Sequence, residues 1–170
     1  MSVSLRAVVP GQVKVKKLFN TSKVDELHIY AISYYFVKEY LVESKPVSYS
    51  GVRRTLYLKG FGPEKSSSDF LMCEDERKML GVFEMEIRKL DPDVVVCHDG
   101  SKVLDTLIQR MYKLVGESNR HSKPMLGRLM HGHELNKNSQ AQRISGSFAG
   151  RLVCDTFVHA KDMIKSVDYE

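Results

Sequence analysis

The sequence predicts an α/β domain in which a mixed sheet is covered by helices, and three observations carry that prediction. Residues 91–111, DPDVVVCHDGSKVLDTLIQRM, read as strand, turn and helix. Val94, Val95 and Val96 form a β-branched apolar run suited to a buried strand. Leu104, Leu107, Ile108 and Met111 then recur at helical spacing. Strand-like segments rich in aromatic and β-branched residues come first in the chain, before any helical pattern. Beyond residue 74, helical patterns alternate with short strands, and strands joined by helical crossovers are parallel. The polar turn Cys97-His98-Asp99-Gly100 follows the buried strand, where α/β proteins usually place their sites.

The elements follow in chain order. Residues 1–23 are short, basic and mixed, and read as a lead-in or an edge strand. ELHIYAISYYFVKEYLV has the length and composition of a long strand. KPVSYSGVRRTLYLKG reads as a strand pair interrupted by Ser50-Gly51, GFGPEKSSS as a solvated loop, and DFLMC as a short strand. EDERKMLGVFEMEIRKL is a helix with Glu74, Asp75 and Glu76 at its start and Arg88 and Lys89 at its end, which complements the helix dipole. Leu80, Phe83, Ile87 and Leu90 supply its apolar stripe. Asp91-Pro92 ends it, because the residue before proline avoids the helical region. A second helix spans Leu104 to Val115. Residues 116–150 carry few large apolar side chains and read as a long basic loop with one helical turn near Met125–Met130; loops of that length are usually functional or disordered. Leu152–Cys154 is then a strand, followed by a helix. The chain ends at Ser166-Val167-Asp168-Tyr169-Glu170 without a helix stop signal, so residues 24–170 read as one domain truncated at its C-terminus.

Composition limits the function. The 170 residues are 42% hydrophobic and 28% charged, with a net charge of +5 and a pI near 9.0. That is ordinary for a globular domain and permits a polyanionic partner without demonstrating one. No apolar run approaches the ~20 residues of a membrane span, and residues 1–17 lack the apolar core of a secretion signal. Cys73, Cys97 and Cys154 are odd in number and widely spaced, and Cys97 and Cys154, in or beside apolar strands, read as reduced core thiols of an intracellular protein.

Several residues invite chemistry, and each has a plainer reading. Asp99 and Asp105 are candidate metal ligands, but read as a turn residue and a solvent-facing helix residue. His98 reads as a strand-end histidine bonded to the turn, and Asp155 as a helix cap. His131-Gly132-His133 lacks the cysteines or second His pair of a zinc site. GFGPEK lacks the Gly-Lys-Ser/Thr of a phosphate loop. Arg120, Lys123, Arg128, Lys137, Arg143 and Arg151 outnumber Glu117 and Glu134 and are candidate phosphate contacts. Tyr34, Tyr35 and Phe36 are candidate base-stacking groups, against which stands ordinary core packing.

ERKMLGVF (residues 76–83), followed by DPDVVVCHD and Gln109-Arg110-Met111, resembles the second exonuclease motif of family B DNA polymerases. There a helix is followed by Asp-Pro-Asp with an apolar strand, Gly-His-Asn, and a helix ending in Gln-Arg. GRLVCDT (150–156) with AKDMI is similar to the next strand and helix of that domain. The detail is closest to the alpha branch of the family rather than to its proofreading members. The resemblance implies a ribonuclease-H-like mixed sheet with helices on both faces. Proofreading relatives hold two divalent metals through carboxylates, so that one activates water and both stabilise the transferring phosphate. Aligning LHIYAISYYF to the strand of the first Asp-x-Glu motif puts Ser33 and Tyr35 at those places. In the second motif Asp99 takes the asparagine position, and Leu104 or Val103 the acid position.

The resemblance therefore implies a degenerate exonuclease-like domain with no catalytic residue and no metal of its own. It implies a nuclear parent polymerase that uses Mg²⁺, extends RNA–DNA primers on a template, and works with primase and accessory subunits. Two rivals stand beside it: an active metal-dependent nuclease using Asp99, Asp105 and Asp155, and a non-catalytic single-stranded nucleic-acid-binding module.

Overall fold

The structure is a computed structural model describing residues 7–10, 14–17, 27–37, 51–116, 124–129 and 139–163. Its strands are β1 (Ala7–Pro10), β2 (Lys14–Lys17), β3 (Leu27–Val37), β4 (Gly51–Leu58), β5 (Phe70–Cys73), β6 (Val94–Cys97) and β7 (Leu152–Asp155). Its helices are α1 (Glu76–Leu90), α2 (Gly100–Gly116), α3 (Gln140–Ser147) and α4 (Thr156–Met163). The strands form one mixed sheet in the order β5-β4-β3-β1-β6-β7, with β2 paired to β3. β3 runs antiparallel to β1, β2 and β4, while the β4–β5, β1–β6 and β6–β7 pairs are parallel. The expected mixed sheet with parallel later strands is therefore present.

Both long crossovers, from β5 to β6 and from β6 to β7, run in the same direction across the sheet. Right-handed connections place their helices α1 and α2 on one face, where they touch each other. Met79, Leu80, Phe83 and Ile87 of α1 and Leu104, Leu107, Ile108 and Met111 of α2 are buried against Ile32, Tyr34, Phe36 and Leu56 of the sheet. Each large apolar side chain so buried contributes about 1.5–3 kcal/mol. Val95 is 2% exposed, as its central place in the valine run predicts.

The helix ends are built locally. The Asp75 carboxylate caps α1 by accepting from the Lys78 N–H at 2.7 Å. Asp91 closes the helix in the left-handed region (φ 46°), its N–H reaching the Ile87 carbonyl. α2 begins at Gly100, earlier than its first core leucine, because Asp99 also turns left-handed (φ 53°). The Asp99 carbonyl then accepts from Lys102 and Val103.

Three expectations need correction. Residues 7–10 are not a lead-in or an edge: β1 lies between β3 and β6, its apolar Ala-Val-Val matching a strand with two neighbours. Gly51–Leu58 is the second strand of the expected pair, and the first lies outside the described residues, as do all of 38–50. The 116–150 stretch contains α3, whose short polar pattern hides it from periodicity. The helical turn near Met125–Met130 is absent over the described residues Pro124–Leu129, whose backbone bonds instead to Ala149 and to side chains of α1.

Candidate exonuclease-like site

The carboxyl ends of β6 and β7 lie side by side, Cys97 opposite Asp155. Asp155 binds two helix starts at once. Its Oδ1 accepts from the Phe157 N–H at 3.0 Å, and its Oδ2 from the Ser101 N–H at 3.1 Å. Burial pushes its carboxyl up, but backbone N–H donors of Ser101, Phe157, Val158 and Gly100 outweigh that and hold it below the usual range. The cap read from sequence is thus a double cap. His98 Nδ1 lies 3.3 Å from the Thr156 hydroxyl, which donates to the Cys97 carbonyl at 3.2 Å, and its ring meets Phe157 edge-on. Burial pushes the Cys97 thiol up to about 12, so it is an inert core group. Gly100 is required here, because a Cβ would stand 2.1 Å from the Cys97 sulfur.

Asp105 departs from its expected solvent-facing role. It is 8% exposed, and both oxygens bind the Arg143 guanidinium of α3, at 2.7 and 2.8 Å. Gln109 adds a third bond at 2.6 Å. Spacing alone hid this, since the partner lies 38 residues away. Leu104, at one of the two possible acid positions of the second motif, is a core residue 2% exposed.

The strand order separates Ser33 and Tyr35 from β6. Opposite β7, the other parallel neighbour of β6 is β1, with Val8 facing Val95, and β3 lies beyond it. Two strand spacings put β3 roughly 10 Å from β6, whereas paired catalytic metals sit about 3.5–4 Å apart. Ser33 bonds the Thr55 hydroxyl at 2.9 Å, and the Tyr35 ring covers the Cα of Gly51. The strand that adjoins the site, β1, has no acid, and residues 1–24 contain no Asp or Glu. Among the described residues, no three His, Cys, Asp or Glu side chains converge as metal ligands. Asp105 is committed to Arg143 and Asp155 to helix amides, so the described residues do not fit a two-metal centre.

The basic residues fall into two groups. Arg120, Lys123 and Lys137 lie outside the described residues, as do His131 and His133. The others face carboxylates. Arg128 Nε bonds Asp91 at 2.7 Å and its Nη2 bonds Asp93 at 2.6 Å. Arg151, its side chain 2% exposed, bonds the same Asp91 oxygen at 2.8 Å. Arg128 keeps Asp91 well below the usual carboxylate range, helped by Arg151. Of the aromatic run, Tyr34 and Phe36 are buried, Tyr34 donating to Glu86, which also binds Arg54.

A further pair is not visible in the sequence. Arg110, 2% exposed, grips Glu76 with Nε and Nη2; the Glu76 carboxylate also accepts from the Ile29 N–H at 2.9 Å and lies 3.1 Å from His28 Nδ1. The residues that carried the resemblance are therefore tied to one another: Glu76 to Arg110, and the Asp-Pro-Asp turn to Arg151.

Comparison with known proteins agrees. Residues 12–170 match the family model described as DNA polymerase family B, exonuclease domain. The chain is 35% identical over 114 residues to the DNA polymerase alpha catalytic subunit of Oryza sativa subsp. japonica, covering 62% of this chain and 7% of that protein. The Xenopus laevis catalytic subunit is 32% identical over 102 residues, covering 55% and 6%. The chain thus spans less than a tenth of the length of these relatives. The family B DNA polymerase of the hyperthermophilic archaeon Pyrobaculum calidifontis shares the fold, with a TM-score of 0.55 and 14% identity over 90% of this chain and 15% of that one. The chain belongs to the exonuclease-domain family of the family B DNA polymerases.

Proposed function

We propose that this chain is part of a DNA polymerase alpha catalytic subunit and forms a non-hydrolytic exonuclease-like domain that serves as scaffold. The parent would extend RNA–DNA primers with Mg²⁺ in the nucleus, alongside primase and accessory subunits, from catalytic acids outside these residues. The similarity to alpha catalytic subunits supports that setting. One observation supports the loss of hydrolysis: Asp105 and Asp155, two of the three candidate acids, are engaged by protein partners, and β1 offers none. Two-metal phosphoryl chemistry needs several carboxylates free to hold cations.

The nuclease rival needs Asp99, Asp105 and Asp155 to converge on metal. The binding-module rival needs uncommitted cations, whereas Arg128 and Arg143 are engaged by acids. Calorimetric titration with Mn²⁺, paired with anisotropy of labelled single-stranded DNA at 50 and 200 mM salt, separates the three. The scaffold gives no saturable Mn²⁺ heat and weak DNA binding. Stoichiometric Mn²⁺ uptake would favour a nuclease, and tight salt-sensitive DNA binding a module.

A further inference from the structure

The residues preceding and following the middle of the long basic segment are fastened to the core at the same places. Pro124–Leu129 is a strap along the C-terminal half of α1. The Met125 N–H donates to Glu84 Oε1 at 2.9 Å, and Leu126 is fully buried. The Arg128 and Leu129 N–H groups both reach the Ala149 carbonyl, at 2.8 and 3.2 Å. Gly127 permits this approach, since a Cβ there would stand 2.5 Å from the Ala149 oxygen. Arg151 then binds the strap at the Leu126 carbonyl (2.8 Å) while meeting Arg128 on Asp91. α3, between strap and return, is held at its other side by Arg143 on Asp105 and Gln140 on the Ser101 carbonyl. It forms one wall of a cleft of about 380 Å³ whose other walls include Ser101 and Leu104 of α2 and Asp155 of β7.

We propose that residues 124–129 and 140–151 form one lid, clasped at Asp91 and Asp105, whose second segment walls this cleft and which opens as a unit while the sheet stays folded. The two segments bond to each other through backbone groups, but to α1, α2 and the Asp91 turn largely through side-chain clasps. Packing of Leu126 and Phe148 is the apolar seal that must break. Such a cooperative unit has an opening free energy below that of the core.

Hydrogen exchange of the whole chain, followed by mass spectrometry, tests this. Asp91→Asn should speed exchange at least tenfold in the peptides of both lid segments. Arg143→Gln, at the other clasp, should speed the same two segments, including the distant strap. Acceleration confined to the mutated end would overturn the single unit. In the unmodified chain, lid peptides that exchange as slowly as those of β6 would overturn its independence from the core. If either variant fails to fold, exchange of the unmodified chain in rising sub-denaturing urea discriminates equally well. Both segments should then share one opening free energy and a shallower urea slope than β6, and separate values or the β6 slope would refute the lid.

Discussion

Replacing Arg110 by Met tests the buried pair that fixes α1, α2 and β3 to one another. Arg110 is 2% exposed and Glu76 8%, and the guanidinium contacts both carboxylate oxygens. Methionine fills much of the aliphatic stem but leaves Glu76 with only Ile29 and His28. Removing one member of a buried pair costs about 3–5 kcal/mol, a large part of the roughly 5–15 kcal/mol that holds a domain together. For a chain of this size that is a fall in Tm of roughly 6–20 °C. The pH dependence gives a second, sharper readout. Burial pushes the Glu76 carboxyl up, but Arg110, Ile29 and His28 together hold it below its usual value. Its contribution is therefore present above the unfolded pKa and lost as pH falls through the folded one. Without Arg110, burial wins, the folded pKa rises above the unfolded one, and the native state takes up the proton. The deficit of Arg110→Met should thus be largest at pH 7 and shrink as the pH falls through the raised folded value. Glu76→Gln added to Arg110→Met should recover a substantial part of the loss. Thermal melts at pH 7 and pH 5 decide it: a variant within 1 kcal/mol of the parent at pH 7, or a deficit that grows in acid, would refute the reasoning.

Val95→Asp should unfold or badly destabilise the chain, since an unpaired carboxylate in the centre of β6 costs several kcal/mol; an unchanged denaturation midpoint would remove β6 from the core. Asp91→Asn should lower the Tm at pH 7 but converge on the parent as pH falls through the depressed folded pKa of Asp91, because protonation costs the parent the same ion pairs; a gap constant down to pH 3 would contradict this. Gly100→Ala should destabilise by forcing the new Cβ against the Cys97 sulfur, and a Tm equal to the parent's would show that the turn relaxes freely. Ser33→Asp with Tyr35→Glu should not create cleavage of a 3′-tailed primer, because β3 is a full strand removed from the site; robust Mn²⁺-dependent cleavage would overturn that placement.

Much of this fold is legible in residue patterns because its signals are local. The valine run of β6, the stripe and charged ends of α1, and the Asp-Pro stop each act within a few residues. β1 is hard to place because four residues between Arg6 and Gly11 carry too little periodicity to show that both strand edges are paired. The short polar α3 is hidden for a similar reason: it is held by Arg143 on Asp105 and by packing of Ile144, not by a strong apolar face of its own. The Asp155 cap is readable, as aspartate before a helix commonly caps it. The ion pairs are not, because Glu76–Arg110 and Asp91–Arg151 join residues 34 and 60 apart, and nothing local says which of many charges will meet.

Loss of hydrolysis is the central claim, and single-turnover degradation of a 3′-tailed primer–template addresses it most directly. The chain, in excess over labelled primer, is incubated with Mg²⁺ or Mn²⁺ beside Asp99→Ala and Asp155→Ala variants. With Asp105 and Asp155 bound to protein donors and no acid on β1, the primer should keep its full length and the three proteins should be indistinguishable. Loss of 3′ nucleotides that survives repurification and disappears in either variant would show that a working metal centre forms here after all.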